Sequence, residues 1–158
     1  MKVAFLDRDG TLIYEPLHGL VKPEDFRILP GVLETLKALQ EHDYHLVMVT
    51  NQDFSRGPRA YFLDTQELLL KTLKSYSIVF DEIFLCPHSP EDSCECRKPK
   101  PGMVDTFLKT HTIDASASFV VGDREEADGG LAKNIGVRYI KKDTNNRFPT
   151  LEHLIMHT

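Results

Sequence analysis

Apolar runs that stop abruptly at a polar residue constrain this chain more than any other feature. The three with the sharpest ends are residues 2–6 before Asp7, 45–49 before Thr50, and 119–121 before Gly122 and Asp123. Two more runs lie at 83–85, before Cys86, and at 137–140. Continuous rather than alternating apolar residues indicate strands of a parallel sheet that is covered on both faces.

Between these runs, apolar residues recur at intervals of three and four, which is the spacing of helices. Four such segments start near positions 32, 64, 103 and 127. For the second we expect Asp64 or Thr65 as the N-cap, and an apolar face made of Leu68, Leu69, Leu73 and Tyr76. Strands alternating with helices predict an α/β fold with a doubly wound, Rossmann-like parallel sheet, as one domain over residues 1–158. Such sheets bind ligands beyond the carboxyl ends of their strands, so the polar strand ends should converge.

The bulk properties are those of an ordinary globular protein, with 41% hydrophobic and 27% charged residues. The net charge of -5 argues against nucleic acid as a partner, since nucleic-acid-binding domains carry clustered Lys and Arg. No apolar run reaches the ~20 residues of a membrane span, and Met1 leads directly into the first strand without a signal-peptide pattern. We therefore expect a cytoplasmic monomer or weak homo-oligomer, without a membrane partner. Because the sequence ends at Thr158, we also expect a monofunctional protein.

The string Asp7-Arg8-Asp9-Gly10-Thr11 places two carboxylates on a loop directly after a buried strand. It is compatible with a simple Asx turn, and also with catalysis. The Asp7 carboxylate could attack phosphorus, provided that a divalent cation screens the charge that it shares with the phosphate. The Asp9 carboxylate could then protonate the departing alkoxide and later deprotonate a water molecule.

Four motifs in order make the catalytic interpretation more specific. The first string, Thr50 at a strand end, Lys98 in Arg-Lys-Pro, and Gly-Asp at 122–123 resemble the motifs of the haloacid dehalogenase superfamily of phosphatases. The resemblance implies that Thr50 donates its hydroxyl to a phosphoryl oxygen. It also implies that Lys98 neutralises the phosphate, with Lys100 as a competing candidate. Asn51, Gln52 and Arg97 are the expected phosphate or substrate contacts.

The same resemblance implies a magnesium ion. Asp123 would complete its site with the Asp7 carboxylate and the Asp9 backbone carbonyl, because Mg²⁺ takes few protein ligands in an octahedral shell of oxygens. A second acid often follows the fourth motif, and Asp128 stands five residues after Asp123. Its role stays open at this point.

All cysteines of the chain lie in one short stretch, together with a histidine. Cys86, His88, Cys94 and Cys96 offer the ligands of a closed, tetrahedral zinc site. The alternative is a loop that carries reduced thiols. A zinc ion would order a polar loop that has little apolar surface to bury, and would hold Arg97 and the following lysine in place.

This loop resembles the branch of the superfamily that contains the histidinol-phosphate phosphatases and the D-glycero-D-manno-heptose 1,7-bisphosphate phosphatases, both of which lack a large cap domain. A small phosphate ester is the implied substrate. The short spacer between the ligand pairs favours histidinol phosphate, with Asp53, Glu15 and Glu24 as candidates to meet its cationic groups. Arg56, which could bind a second phosphate, keeps the heptose bisphosphate as an alternative.

A non-catalytic protein is the alternative of another class: a metal-stabilised binding module, or a phospho-acceptor module in which a strand-end Asp receives phosphate. Asp9 separates the two classes. A phosphatase must discharge its intermediate and needs an acid/base beside the nucleophile, whereas an acceptor module does not.

Overall fold

The structure is a computed structural model that describes residues 1–156. The predicted domain runs to Thr158, so its last two residues lie outside the described part of the chain. Within residues 1–156, a parallel sheet of five strands has the order β3-β2-β1-β4-β5. The strands are β1 (Lys2–Leu6), β2 (Tyr44–Asn51), β3 (Glu82–Cys86), β4 (Phe119–Gly122) and β5 (Arg138–Lys141). The predicted α/β parallel sheet is confirmed.

The continuous apolar runs follow from burial of the sheet on both faces. In β1, Val3 and Phe5 pack into one core while Ala4 and Leu6 pack into the other, and all four are fully buried. Full burial of a side chain the size of Phe5 or Leu6 contributes about 1.5–3 kcal/mol to folding. Both faces of the strand therefore select apolar residues, and the alternation seen in one-sided sheets is lost.

Helices cover the two faces. The described residues contain α1 (Val32–Glu41), α2 (Arg59–Ser75), α3 (Asp105–Thr110), α4 (Gly130–Ile135) and α5 (Leu151–Ile155). Side chains of α1, α2 and α5 enter one core, and side chains of α3 and α4 enter the other. A π-helical turn, Glu125–Gly129, leads from β4 into α4, and Gly136 ends α4 in the left-handed conformation, as its sequence position predicts.

The sequence prediction for α2 was wrong at its start and right for half of its apolar face, since Leu69 and Leu73 are buried as expected. The helix begins at Arg59 after Pro58, so neither Asp64 nor Thr65 is its N-cap. The side chains of Leu68 and Tyr76 are 39% and 55% exposed. The buried face instead carries two polar residues among its apolar ones: Phe62, Thr65, Gln66, Leu69 and Leu73. Because Thr65 and Gln66 are polar, the buried face of α2 is not a continuous apolar stripe in the sequence.

The order of the strands positions the polar strand ends. The chain runs outward from β1 through β2 to β3, and then returns to place β4 on the other side of β1. The crevice beyond β1 and β4 is the switch point at which doubly wound sheets bind ligands. Asp7 follows β1 and Asp123 follows β4, so both acids reach this crevice. No helix within residues 1–156 is long and apolar enough to cross a membrane.

Candidate active site

Asp7 is held at the end of β1 by hydrogen bonds to β4 and to the loop that follows β1. Its backbone N–H donates to the carbonyl of Val121 at 3.0 Å, and its Oδ2 accepts a hydrogen bond from the Thr11 hydroxyl at 3.1 Å. The residue is only 9% exposed. The Asp7 carboxylate therefore has a defined orientation in the crevice.

Lys98 supplies the positive charge beside Asp7. Its Nζ lies 2.9 Å from Asp7 Oδ1, 2.7 Å from Asp128 Oδ1 and 2.7 Å from the carbonyl of Val49. Burial alone would lower the pKa of Lys98, but the carboxylates of Asp7 and Asp128 outweigh burial and raise it above its ordinary value. Lys100 instead points to the exposed Glu95 at 3.1 Å. Of the two candidate lysines, only Lys98 is brought to the crevice.

Three carboxylates converge beside this lysine. Oxygens of Asp7, Asp123 and Asp128 lie within 4.8 Å of one another. Burial, followed by repulsion from Asp7, raises the pKa of Asp123 to about 6 and the pKa of Asp128 to about 6. Like charges this close need a compensating cation, and Lys98 offsets only part of their charge.

The hydrogen bonds separate the roles of these acids. Asp128 uses both oxygens: Oδ1 accepts from Lys98, and Oδ2 accepts from the backbone N–H of Arg124 at 3.1 Å. Within residues 1–156, by contrast, the buried Oδ1 of Asp123 has no hydrogen-bond partner. An unpaired carboxylate oxygen beside Asp7 suits a hard divalent cation such as Mg²⁺. Asp7 and Asp123 therefore fit a magnesium ion, and Asp128 fits the role of partner to the lysine.

A second cluster lies on the loop after β3. The Sγ of Cys86 is 3.5 Å from His88 Nδ1, 3.6 Å from Cys94 Sγ and 2.9 Å from Cys96 Sγ, and His88 Nδ1 is 3.2 Å from Cys96 Sγ. Ligands about 2.1–2.3 Å from a tetrahedral zinc ion are roughly 3.5–3.8 Å apart, which matches the first two of these separations, whereas both separations to Cys96 Sγ are shorter. The four predicted ligands are thus brought together in a set that fits zinc.

Known proteins match both the sequence and this geometry. A sequence model of the family described as polynucleotide kinase 3 phosphatase matches residues 2–146. The crystal structure of D,D-heptose 1,7-bisphosphate phosphatase from B. bronchiseptica, complexed with magnesium and phosphate, has a TM-score of 0.82 and 32% sequence identity. The match covers 92% of this chain and 83% of that one. The chain belongs to the haloacid dehalogenase phosphatases.

Curated relatives of this haloacid dehalogenase phosphatase carry a histidine-biosynthesis name. The histidine biosynthesis bifunctional protein HisB of Blochmanniella floridana is 40% identical over 145 residues, which are 89% of this chain and 40% of the relative. The protein of the same name from Campylobacter jejuni subsp. doylei is 41% identical over 145 residues, 89% of this chain and 41% of the relative. The chain thus spans about two fifths of the length of these relatives.

Asp9, the second acid of the phosphatase motif, lies in a network that the sequence analysis missed. Its Oδ1 accepts from Arg8 Nε at 2.7 Å, and its Oδ2 accepts from Gln52 Nε2 at 2.9 Å. Arg8 is 1% exposed, donates to Gln66 at 3.2 Å, and stacks 4.5 Å above the ring of Phe62. A buried arginine between two acids thus connects the motif loop to α2. An arginine between two aspartates was the available signal, but the sequence analysis assigned no role to Arg8.

The remaining predicted contacts of the phosphatase lie at the end of β2 and on the loop before Lys98. Thr50 is buried, and its hydroxyl accepts from Gln52 Nε2 at 2.9 Å. The side chain of Asn51 brackets the backbone of Lys98, accepting from its N–H at 2.9 Å and donating to its carbonyl at 3.1 Å. Arg97 Nη1 donates to the carbonyls of Gln52 and His88, both at 2.8 Å. The guanidinium of Arg97 therefore ties the cysteine loop to β2, and its contact with phosphate stays a prediction.

A cleft lies above these residues, between the irregular segment before α1 and the one before α2. Glu15, Asp53 and Arg56 line it together with Asp7 and Asp9, whereas Glu24 lies on an exposed turn outside its lining. Glu15 is 6% exposed and accepts from Arg124 Nη2 at 2.6 Å. Burial raises the pKa of Glu15 to about 7, even though the guanidinium of Arg124 opposes the shift.

Proposed function

We propose that this chain hydrolyses a small phosphate monoester through a covalent phosphoaspartate on Asp7, and that histidinol phosphate is its substrate. One observation carries the reaction class. A buried carboxylate, Asp7, lies 2.9 Å from the ammonium of Lys98, and a second carboxylate, Asp9, lies two residues along in the same cleft. Nucleophile, charge stabiliser and acid/base are the groups that a two-step phosphoryl transfer needs.

In the first step, an oxygen of Asp7 attacks phosphorus and the bond from phosphorus to the ester oxygen breaks. Asp9 donates its proton to the departing alkoxide, which leaves as the alcohol. In the second step, Asp9 takes a proton from water as the water oxygen attacks phosphorus. Inorganic phosphate leaves, and the Asp7 carboxylate and the protonated Asp9 are regenerated. Lys98 stays charged throughout, because Asp7 and Asp128 raise its pKa.

Gln52 suits both protonation states of Asp9. Its Nε2 donates to Asp9 Oδ2 and to the Thr50 hydroxyl, both at 2.9 Å. When Asp9 carries its proton, a rotated amide presents its oxygen to Asp9 and accepts from the Thr50 hydroxyl instead, because amide and hydroxyl groups can exchange donor and acceptor roles. When bound by Asp7 and Asp123, Mg²⁺ would screen the charge that the carboxylate and the phosphate share.

In this proposal the zinc ion is structural. Its ligands Cys94 and Cys96 directly precede Arg97 and Lys98, so ordering the loop also orders the lysine. A site with four protein ligands leaves no position open for substrate. Cytoplasmic location and a monomeric or weakly oligomeric state stay predictions.

Histidinol phosphate is supported by the histidine-biosynthesis name of the relatives at 40% identity and by the acids of the cleft. Glu15 and Asp53 can meet its ammonium and imidazole groups. D-glycero-D-manno-heptose 1,7-bisphosphate is the second candidate. It is favoured by the match to the B. bronchiseptica enzyme and by Arg56, a cation in the cleft for a second phosphate.

Phosphate release from a panel of esters tests this proposal. The panel contains histidinol phosphate, the heptose bisphosphate, an aryl phosphate and an oligonucleotide with a 3′-phosphate, each with Mg²⁺ and then with chelator. We expect selective release from histidinol phosphate that chelation abolishes. Preference for the bisphosphate would reassign the substrate but keep the residues, and release from no ester would favour the non-catalytic acceptor module.

The nucleophile is tested by Asp7→Asn. An amide cannot form the phosphoaspartate, so we expect phosphate release to fall by at least about 1,000-fold, as for other lost nucleophiles. The fold should persist, as measured by circular dichroism. Asp64→Asn, on the exposed face of α2, is the matched control. Turnover by Asp7→Asn at the rate of this control would reject the assignment.

A further inference from the structure

Three segments from distant parts of the sequence meet at Gly10. A Cβ atom on Gly10 would lie 2.5 Å from Asp123 Oδ2, 3.0 Å from Thr144 Cγ2 and 3.1 Å from Glu15 Oε2. The backbone of Gly10 also has a φ of +77°, which favours glycine. The motif loop, the acid after β4 and the segment after β5 are thus in direct contact.

The segment after β5, residues 142–145, holds this junction together; we call it the β5 tail. The carbonyl of Gly10 accepts from Lys142 Nζ at 3.2 Å and from the backbone N–H of Asn145 at 2.9 Å. The side chain of Asn145 accepts from the N–H of Glu15 and donates to its carbonyl, both at 2.8 Å. The β5 tail therefore holds the motif loop at Gly10, directly after Asp9, and again at Glu15.

Thr144 extends this arrangement to the cation site. Its hydroxyl donates to Asp123 Oδ2 at 2.7 Å. The other oxygen of that carboxylate, Oδ1, is the buried atom that lacks a hydrogen-bond partner within residues 1–156. A donor on one oxygen stops rotation of the carboxylate and leaves the lone pairs of the other oxygen to a metal ion, as partners behind metal ligands commonly do.

We propose that Thr144 is a positioning residue for the divalent cation of this site. Its hydroxyl selects the rotamer of Asp123 in which Oδ1 is available beside Asp7. This inference rests on the proposed function only in taking the cation to be Mg²⁺. Because Thr144 is itself exposed, removal of its hydroxyl should affect the cation more than the fold.

Calorimetric titration of Mg²⁺ into the zinc-loaded protein, without substrate, measures this role directly. We expect Thr144→Val, which keeps the shape but loses the donor, to weaken Mg²⁺ affinity by about 10-fold. Thr144→Ser restores the donor and should bind within about twofold of the unchanged protein. Thr112→Val, in an exposed loop before β4, is the control and should leave the affinity unchanged. Thermal midpoints without Mg²⁺ should agree among all four proteins.

Two results would overturn the inference: Thr144→Val with the Mg²⁺ affinity of the unchanged protein, or Thr144→Ser as weak as the valine variant. Phosphate release, measured in parallel, separates this inference from the proposed function. Weakened Mg²⁺ binding in Thr144→Val, in a protein that releases no phosphate, would sustain the positioning role and reject the phosphatase. Unchanged binding in an active, magnesium-dependent phosphatase would reject the positioning role alone.

Discussion

The two clusters of candidate metal ligands differ in what holds them in place. The carboxylate cluster lies at the carboxyl ends of β1 and β4, whose side chains are buried in the two hydrophobic cores. Asp7 follows β1, Asp123 follows β4, and both connect to the framework by hydrogen bonds of 2.7–3.1 Å. Lys98 already offsets part of their charge. Hydrogen bonds to the framework of the sheet therefore position the two acids of this site.

The cysteine cluster has less support from the sheet, because most of its ligands lie on a loop. Of its four ligands only Cys86 belongs to a strand and is buried, while His88 is exposed and Cys94 and Cys96 are half-buried. A polar loop of this kind depends on its metal for order. In the proposed function, one cluster would use the scaffold to hold a cation for chemistry, whereas the other would use a cation to hold part of the scaffold. Arg97 and Lys98 are the connection between them.

Lys98→Met should break the carboxylate cluster and leave the cysteine cluster intact. Without the ammonium, buried carboxylates face one another, and we expect the metal-free protein to lose about 3–5 kcal/mol of unfolding free energy. Loss of charge stabilisation should lower turnover by about 100-fold to 1,000-fold. Urea unfolding, phosphate release and zinc content measure the three effects. Lys100→Met, at the exposed neighbour, is the matched control, and a larger loss of activity in that variant would exchange the roles of the two lysines.

Cys94→Ser should instead disrupt the cysteine cluster and leave the carboxylate cluster intact. Zinc content falls, and turnover drops about 10-fold because the backbone before Lys98 loses its anchor. Magnesium affinity, however, should persist, since Asp7 and Asp123 are held by the sheet. Elemental analysis and calorimetry check both results, with Glu95→Gln as the control at the exposed position between the cysteines. Loss of magnesium binding along with zinc would show that the clusters are not independent.

Glu15→Gln concerns only the carboxylate side and should show itself in the pH dependence of stability. The pKa of Glu15 is raised to about 7 in the folded protein, so its contribution to stability is complete below its ordinary value of 4.5 and is lost as pH rises through about 7. Glutamine still accepts from Arg124 but does not titrate. Between about pH 5 and about pH 8, we therefore expect the variant to gain up to about 3 kcal/mol of unfolding free energy relative to the unchanged protein.

Urea unfolding at the two pH values measures this gain. Glu24→Gln, an exposed glutamate on the same irregular segment, is the matched control. An equal difference between Glu15→Gln and the unchanged protein at both pH values would contradict the prediction.

The sequence analysis succeeded where the information is local. Apolar runs and the residues that end them predict the strands and the positions of Asp7, Thr50 and Asp123 directly. The cysteine spacing predicts the second cluster in the same way. These features follow from the chemistry of adjacent residues and need no knowledge of long-range contacts.

Contacts between distant segments were not predictable in this way. Arg8 meets Gln66 across 58 positions, and Thr144 meets Asp123 across 21. A polar residue such as Gln66 on a helix resembles a surface residue until its buried partner is known. Arg97 donates to two backbone carbonyls that only the folded chain brings together, and the sequence did not predict these bonds.

The crowding at Gly10 has an evolutionary consequence. Any side chain there would need a strained backbone, would displace the Asp123 carboxylate, and would press against Thr144 and Glu15. A substitution at Gly10 would therefore move the Asp123 carboxylate away from the position in which it could hold a cation. New specificities are therefore reached more readily by substitutions at the rim of the cleft than by substitutions at Gly10.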